Sequence, residues 1–380
     1  MKKLIVVLIS ISILILSNFA MASVHGMWNI DTIEKRSLKI GNAKPAIEIE
    51  NFSDVWVFKD NGTFEFRENT SSAMPLFVGT WSQTGSNFKI SLDSEQIRIF
   101  IESELLSKGL PATATIKKLH FFGSEKKNWT IKGKYQIKAD LVFPDLSTGT
   151  LDINASFTGT LPYDTAEYFP LGQGDTWTFH EIEREGQTVD EDTETYAIMG
   201  MEKIAGKFAA KRVELDDGEY ELISNTNGIQ FYKDYEAETE GDAIMEETVD
   251  TYSPPIMYAP PRLSVGTRHS FKSTIIHKSS SGATLTAKVT GEMVVDGMED
   301  ITVAAGTFKD CLKMKLTRHV IASKLQYEGH AEVTMWLAKG VGTVKEMSTD
   351  TEFVGGVFQG ESSDEVELIS ATVGGIAYHP

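Results

Sequence analysis

The sequence predicts a mainly β protein in at least two parts, and three observations carry that reading. Long segments alternate apolar and polar residues with a period of two, the signature of half-buried antiparallel strands. A set of landmarks between residues 171 and 229 recurs in the same order between 263 and 341. The charge balance also changes near residue 162. Residues 23–162 hold 16 Lys/Arg against 16 Asp/Glu, whereas residues 163–380 hold 18 against 38.

The first element is a leader. Met1-Lys2-Lys3 precedes an apolar run from Leu4 to Phe19, then Ala20-Met21-Ala22 stands before Ser23. A positive start, an apolar stretch and a small-residue cleavage pattern predict a signal peptide over 1–22 and export to the periplasm or beyond, the mature chain being soluble. No cysteine follows the run, which argues against N-terminal lipidation. Cys311 is the sole cysteine, so an exported chain of this size must fold on its hydrophobic cores without an internal disulfide. The acidity of the C-terminal part disfavours nucleic acid and anionic lipid surfaces as partners.

Residues 23–162 form the first predicted domain. Ile131, Gly133, Tyr135, Ile137, Ala139, Leu141 and Phe143 occupy one parity of a strand, with lysines and other polar residues on the opposite one. Leu151, Ile153, Ala155, Phe157, Gly159 and Leu161 do the same in the next strand, and Pro144–Gly149 supplies the turn. One helix is expected from about Asp93 to Lys108. Asp93 with Gln96 suggests a capping box, Gly109 and Pro111 end the run, and Ile97, Phe100, Ile101 and Leu105 share a face. A lipid-facing barrel is disfavoured, because there is no apolar outer band with aromatic girdles.

Within this domain Trp56-Val57-Phe58-Lys59-Asp60-Asn61-Gly62-Thr63-Phe64 reads as strand, turn and strand. Gly79-Thr80-Trp81, Gly85-Ser86-Asn87 and the earlier Gly26-Met27-Trp28 accompany it. These stretches resemble the small bacterial lipocalin-like domains. The resemblance implies an up-and-down β-barrel or cup with room for an apolar ligand, although the helix precedes the last strands rather than following them. Trp28, Trp56 and Trp81 are expected to pack the barrel floor.

The rest of the chain reads as a duplicated antiparallel β unit forming curved sheets. Leu171-x-x-Gly174-x-x-x-x-Phe179 returns as Leu263-x-x-Gly266-x-x-x-x-Phe271. Gly200-Met201-Glu202 with Ala205-Gly206 returns as Gly297-Met298-Glu299 with Ala305-Gly306, and Asn227-Gly228-Ile229 answers Lys339-Gly340-Val341. The expected division is a first repeat over 163–252, a Pro-rich extended linker over 253–262, and a second repeat with a C-terminal tail over 263–380. In the second repeat Met293, Met314, Leu316 and Met335 fall on the apolar parity of their strands, and Trp336 on the polar one. The stretches Tyr168–Trp177, Ala305–Lys313 and Trp336–Gly342 are similar to a group of bacterial exported domains. That likeness implies curved, incompletely closed sheets of the periplasmic lipoprotein-carrier kind, and it brings no catalytic residues.

No spacing among the eight histidines matches a zinc set, and no nucleophile elbow or phosphate loop occurs. His319 and His330 can approach on adjacent strands and are read as solvated face residues. Cys311 is read as a tolerated thiol, although Lys313 and Lys315 on its parity would favour the thiolate. The acidic runs Asp190–Glu194, Asp216–Glu219 and Glu236–Asp250 lack EF-hand spacing and are read as solvated. No catalytic residue, metal ligand or cofactor is therefore assigned. The expected function is a non-enzymatic extracytoplasmic binding protein holding a hydrophobic small molecule or lipid in a β-cup, with Met293, Met314, Leu316 and Met335 as ligand contacts. The alternatives are an envelope-structural or protein-interaction module with no pocket, bound to another envelope protein, and then an unrecognised hydrolase.

Overall fold

The computed structural model describes residues 24–69, 74–126, 129–240 and 243–379. The leader and its cleavage site lie outside the described residues. Eight antiparallel strands form a closed barrel: β1 (Gly26–Ile40), β2 (Ala46–Phe58), β3 (Thr63–Arg67), β4 (Phe77–Thr84), β5 (Asn87–Leu92), β6 (Thr113–Lys126), β7 (Thr130–Val142) and β8 (Thr148–Thr160). Strand β1 pairs with β8, setting Ile30 opposite Gly159, so no edge is left open. Helix α1 (Ser94–Ser107) interrupts the meander between β5 and β6.

The inward parity of β7 and β8 is buried, as the alternation predicts, from Ile131 to Leu141 and from Leu151 to Phe157. One end of the barrel is filled by rings. Trp56 touches Phe64, Phe66, Phe121 and Phe157 at centroid distances between 4.4 and 6.5 Å, and Trp28 is fully buried beside it. Gly133 makes this packing feasible, since a Cβ there would collide with the Phe157 ring and the Phe122 carbonyl.

Helix α1 starts where the sequence places it, with Asp93 as N-cap accepting from Glu95 N at 2.8 Å. The capping box does not close. Gln96 instead accepts from Val78 N of β4 at 3.1 Å, tying the helix to the barrel wall. Ile97, Ile101 and Leu105 face inward, whereas Phe100 is 40% exposed and packs its edge on Phe77.

Twelve further strands form a second antiparallel barrel: β10 (Thr176–Glu185), β11 (Thr188–Ile204), β12 (Lys207–Glu214), β13 (Tyr220–Ser224), β14 (Ile229–Glu240), β15 (Ala243–Ala259), β17 (Arg268–Ser279), β18 (Thr284–Val303), β19 (Gly306–Ala322), β20 (Tyr327–Ala338), β21 (Gly342–Val354) and β22 (Val357–Val373). The short β23 (Ile376–Tyr378) adds to the end of β22. The expectation of incompletely closed sheets is corrected here. Strand β10 pairs with β22 and β15 with β17, which satisfies four edges that two separate sheets would expose. Before β10 and β17 run the two-residue strands β9 (Tyr163–Asp164) and β16 (Arg262–Leu263), paired with each other, and α2 (Thr165–Tyr168) follows β9. The recurring landmarks fall in corresponding hairpins. Gly206 turns β11 into β12 and Gly306 turns β18 into β19, both at positive φ, while Gly228 and Gly340 precede β14 and β21.

Two local expectations are also corrected. The Pro-rich stretch 253–262 is not a free linker, because Ser253–Ala259 continues β15. Its prolines are tolerated because the ladder to β17 ends at Ser253, and the β14 register jumps between Phe231 and Lys233, so little backbone donation is required there. Trp336 is buried rather than solvent-facing. Trp336 keeps the parity of its register partner Lys313, but that face is covered: Lys313 Nζ lies 5.1 Å from its ring centroid, Nε1 donates to Glu299 at 3.0 Å, and the ring joins a second apolar cluster with Trp177 and Val344.

The barrels meet along a polar seam. Met27 N donates to Ser264 Oγ at 2.9 Å, Arg262 Nη1 donates to the Leu161 carbonyl at 2.9 Å, and Arg268 pairs with Asp60 at 3.1 Å.

Candidate functional site

Each barrel holds space that is partly open to solvent, and the lining differs chemically between the two. In the first barrel, β1, β2, β6 and β7 and the inner face of α1 surround a cavity of about 350 Å³. Phe66, Phe121, Ile137, Ile153, Ile97 and Ile101 make most of its wall apolar. A second chamber of about 350 Å³ lies toward Leu38, Ile47 and Leu105, and Arg36, Ile101 and Ile153 border both. Arg36 reaches from β1 to Glu104 on α1, so one ion pair between wall and helix stands between the chambers.

The same parity that buries Ile30 on β1 carries Thr32, Glu34 and Arg36 inward, so periodicity alone puts charge inside. Glu34 is 4% exposed; it accepts from the Tyr135 hydroxyl and pairs with Arg36, which also reaches Glu50 at 3.3 Å. Burial works against the Arg36 charge, but Glu34, Glu104 and Glu50 more than offset it and raise the pKa of the guanidinium. Desolvation and the Glu34 charge push the Tyr135 phenol up. Asp54, on β2, is 9% exposed and lines the cavity, and its Oδ2 has no hydrogen-bond partner. Burial, reinforced by Glu34 and Glu68, lifts its pKa from 3.8 to about 7. Thr32 Oγ1 and Trp56 Nε1 are likewise buried without partners. The cavity is thus an apolar chamber with one arginine, several carboxylates and an unsatisfied acid.

The cavity of the second barrel, about 280 Å³, is half polar in its lining. Met314, Leu316 and Met335 line one side of it, whereas Met293 is fully buried in the adjoining core and is not part of the wall. Arg212 of β12 pairs with Glu221 of β13 at 2.5 Å, and Arg318, on the same strand as Met314 and Leu316, pairs with Asp350 of β21 at 3.6 Å. Burial raises Asp234 and Glu346 to about 7 each. Arg318 shares the inward parity of Leu316 and Val320, a signal that a reading of charge as solvent-facing passes over.

Cys311 is fully buried, and desolvation pushes its thiol up to about 11 despite the lysines on its strand, so it is unsuited to nucleophilic work. His319 and His330 stand opposite each other on β19 and β20, their rings stacked at 4.3 Å. Asp217 and Glu219 of the second acidic run converge with Glu214 among the described residues, each at least partly exposed. No described helix is long and apolar enough to cross a membrane.

No curated protein matches the chain. Among solved structures, a candidate lipoprotein from Parabacteroides distasonis is 15% identical, covering 55% of this chain and 99% of its own, with a TM-score of 0.24. A candidate exported protein with a YmcC-like fold from Bacteroides fragilis is 12% identical over 53% of this chain and 96% of its own, with a TM-score of 0.28. A DUF3598-family protein from Nostoc punctiforme is 8% identical over 91% of this chain and 96% of its own, at 0.21. Values this low assign no role. Residues 212–352, running from β12 to β21 of the second barrel, match the DUF3108-like family.

Proposed function

We propose that the chain is a non-enzymatic extracytoplasmic binding protein whose first, lipocalin-like barrel holds an apolar ligand bearing a hydrogen-bond donor or a positive head group. The division into leader, barrel domain, two repeats and the 253–262 junction belongs to the same reading, as does export. The observation that supports it is the mostly apolar cavity beneath α1 with an unsatisfied carboxyl, Asp54, in its wall. Ligand sites combine an apolar lining with a few placed polar groups, and eight-stranded barrels have interiors wide enough for one small ligand. Acids outnumber bases around the chamber. Arg36 is already shared among Glu34, Glu50 and Glu104, so a fatty carboxylate finds no free cation there, whereas an amine or alcohol finds acceptors.

The second barrel is the weaker candidate, because the three expected contacts that line its cavity share it with Arg212, Glu221, Arg318, Glu346 and Asp350. An environment-sensitive apolar dye separates the two barrels. It should bind the mature protein saturably and be displaced by a long-chain alkylamine better than by the matching fatty acid. Ile153→Trp should abolish uptake while Met335→Trp leaves it intact. Uptake blocked by Met335→Trp alone would move the site to the second barrel, and no saturable uptake would remove the ligand-binding reading.

A further inference from the structure

We infer that His319, Glu328 and His330 form a surface site for a divalent transition-metal ion, zinc being the best match, on the outer wall of the second barrel. The site is built across one hairpin. His319 on β19 is the register partner of His330 on β20, and Glu328 lies two residues before His330, on the same face of that strand. The turn at Ser323–Gln326 joins the two strands, so the three residues are held by a single local unit.

The geometry brings their ligand atoms together. The imidazole rings lie 4.3 Å apart and 8° from parallel, and both Nε2 atoms contact the same carboxylate oxygen, Glu328 Oε1, at 2.8 and 3.2 Å. The three donor atoms all lie within 4.8 Å of one another. Ligands bound tetrahedrally at ~2.0–2.1 Å stand roughly 3.3 Å apart. The Nε2–Oε1 separations therefore need to widen by only a few tenths of an ångström, and the rings need to tilt toward each other. In the metal-free state the carboxylate bridges the two imidazoles; an incoming cation takes its place between them. Two neutral imidazoles and one carboxylate make a donor set suited to zinc, copper or nickel rather than to calcium or magnesium. The side chains are between 33% and 48% exposed, so the ion has a direct path in, and the fourth coordination position opens to solvent. Phe353 packs edge-on against His330 at 6.0 Å, limiting the swing of that ring on the side away from His319. The surrounding region is strongly acidic, which raises the local concentration of cations.

The test is calorimetric titration of the chelator-treated mature chain with zinc chloride. The expected result is one saturable site. His319→Ala and His330→Ala should each weaken it by at least the roughly tenfold that loss of even an outer-sphere partner costs. Glu328→Gln should weaken it less. His277→Ala, which removes a histidine paired with Asp250 on β17 and β15, should leave it unchanged. Histidine nitrogen resonances of the unaltered protein give a readout free of folding effects, with two Nε2 signals expected to shift together on zinc addition. Zinc affinity unchanged in the His319→Ala/His330→Ala double variant, or histidine signals that stay fixed during titration, would overturn the assignment.

Discussion

Replacing Asp54 by Asn tests the electrostatics of the first barrel most sharply. Asp54 is buried beside an apolar cavity, with one oxygen unpartnered, and its pKa is raised from 3.8 to about 7. In the unfolded chain the carboxyl ionises near 3.8; in the folded chain it keeps its proton until about pH 7. Between those values the native state holds more protons than the unfolded one, so this residue lowers stability as pH rises, and the loss levels off above pH 7. At ~1.36 kcal/mol per pH unit the full rise corresponds to an upper bound of ~4 kcal/mol. Water entering the adjoining cavity screens the charge, so about 2 kcal/mol is the expected size. Trp28, Trp56, Trp81 and Trp129 lie in the first barrel against Trp177 and Trp336 in the second, so fluorescence in denaturant reports mainly on the former. Asp54→Asn should match the wild type near pH 4 and exceed it by about 2 kcal/mol at pH 8. Other raised acids, such as Glu125 and Glu346, cancel in the difference. Parallel wild-type and variant curves across that range would refute the reasoning.

Ile101→Ala, at the centre of the inner face of α1, should cost about 2–4 kcal/mol and widen both chambers, measurable as a lower Tm with increased dye capacity. Gly26→Ala places a Cβ against Ser264 Oγ at a positive φ of 108°, so it should loosen the seam by about 1–3 kcal/mol and expose the inter-barrel junction to limited proteolysis. Added sodium chloride should raise the Tm of the acidic second barrel by screening self-repulsion, and calcium should do no more than an equal concentration of magnesium. Intact mass of the exported protein should correspond to a chain beginning at Ser23, and retention of residues 1–22 would contradict export by cleavage.

Much of the first barrel is legible because β7 and β8 alternate with a period of two along their length, whereas β6 carries a bulge between Ile116 and Lys118. From Ile131 to Leu141 and from Leu151 to Phe157 every second residue is inward, and the Asp93 cap and the apolar face of α1 follow ordinary helix chemistry. What escaped the reading escaped for identifiable reasons. Closure of the second barrel depends on β10 meeting β22, some 190 residues later, and no local pattern encodes that pairing. The Pro254-Pro255 stretch sits where the β14 register jumps, and Trp336 keeps its parity but is buried by a second apolar cluster on that face. The expected ligand contacts all lie in the second barrel, and the chamber of the first barrel is lined by none of them. Parity puts Met314, Leu316 and Met335 on the inner face of the second barrel, but Glu34, Arg36, Arg212 and Arg318 also point inward, and the usual exposure of charge gives no signal for them. In a wide barrel the inward parity can carry charge, provided partners such as Tyr135 and Glu221 are in reach.

The most direct test of ligand binding in the first barrel is crystallographic: growing crystals of the mature protein with bromododecylamine and locating the bromine by anomalous scattering. The expected result is one peak in the chamber beneath α1, between Phe121 and Ile153, with the amine toward Asp54 and Glu34. A peak inside the second barrel, or a first barrel whose chamber holds only ordered water in crystals saturated with the amine, would contradict the account.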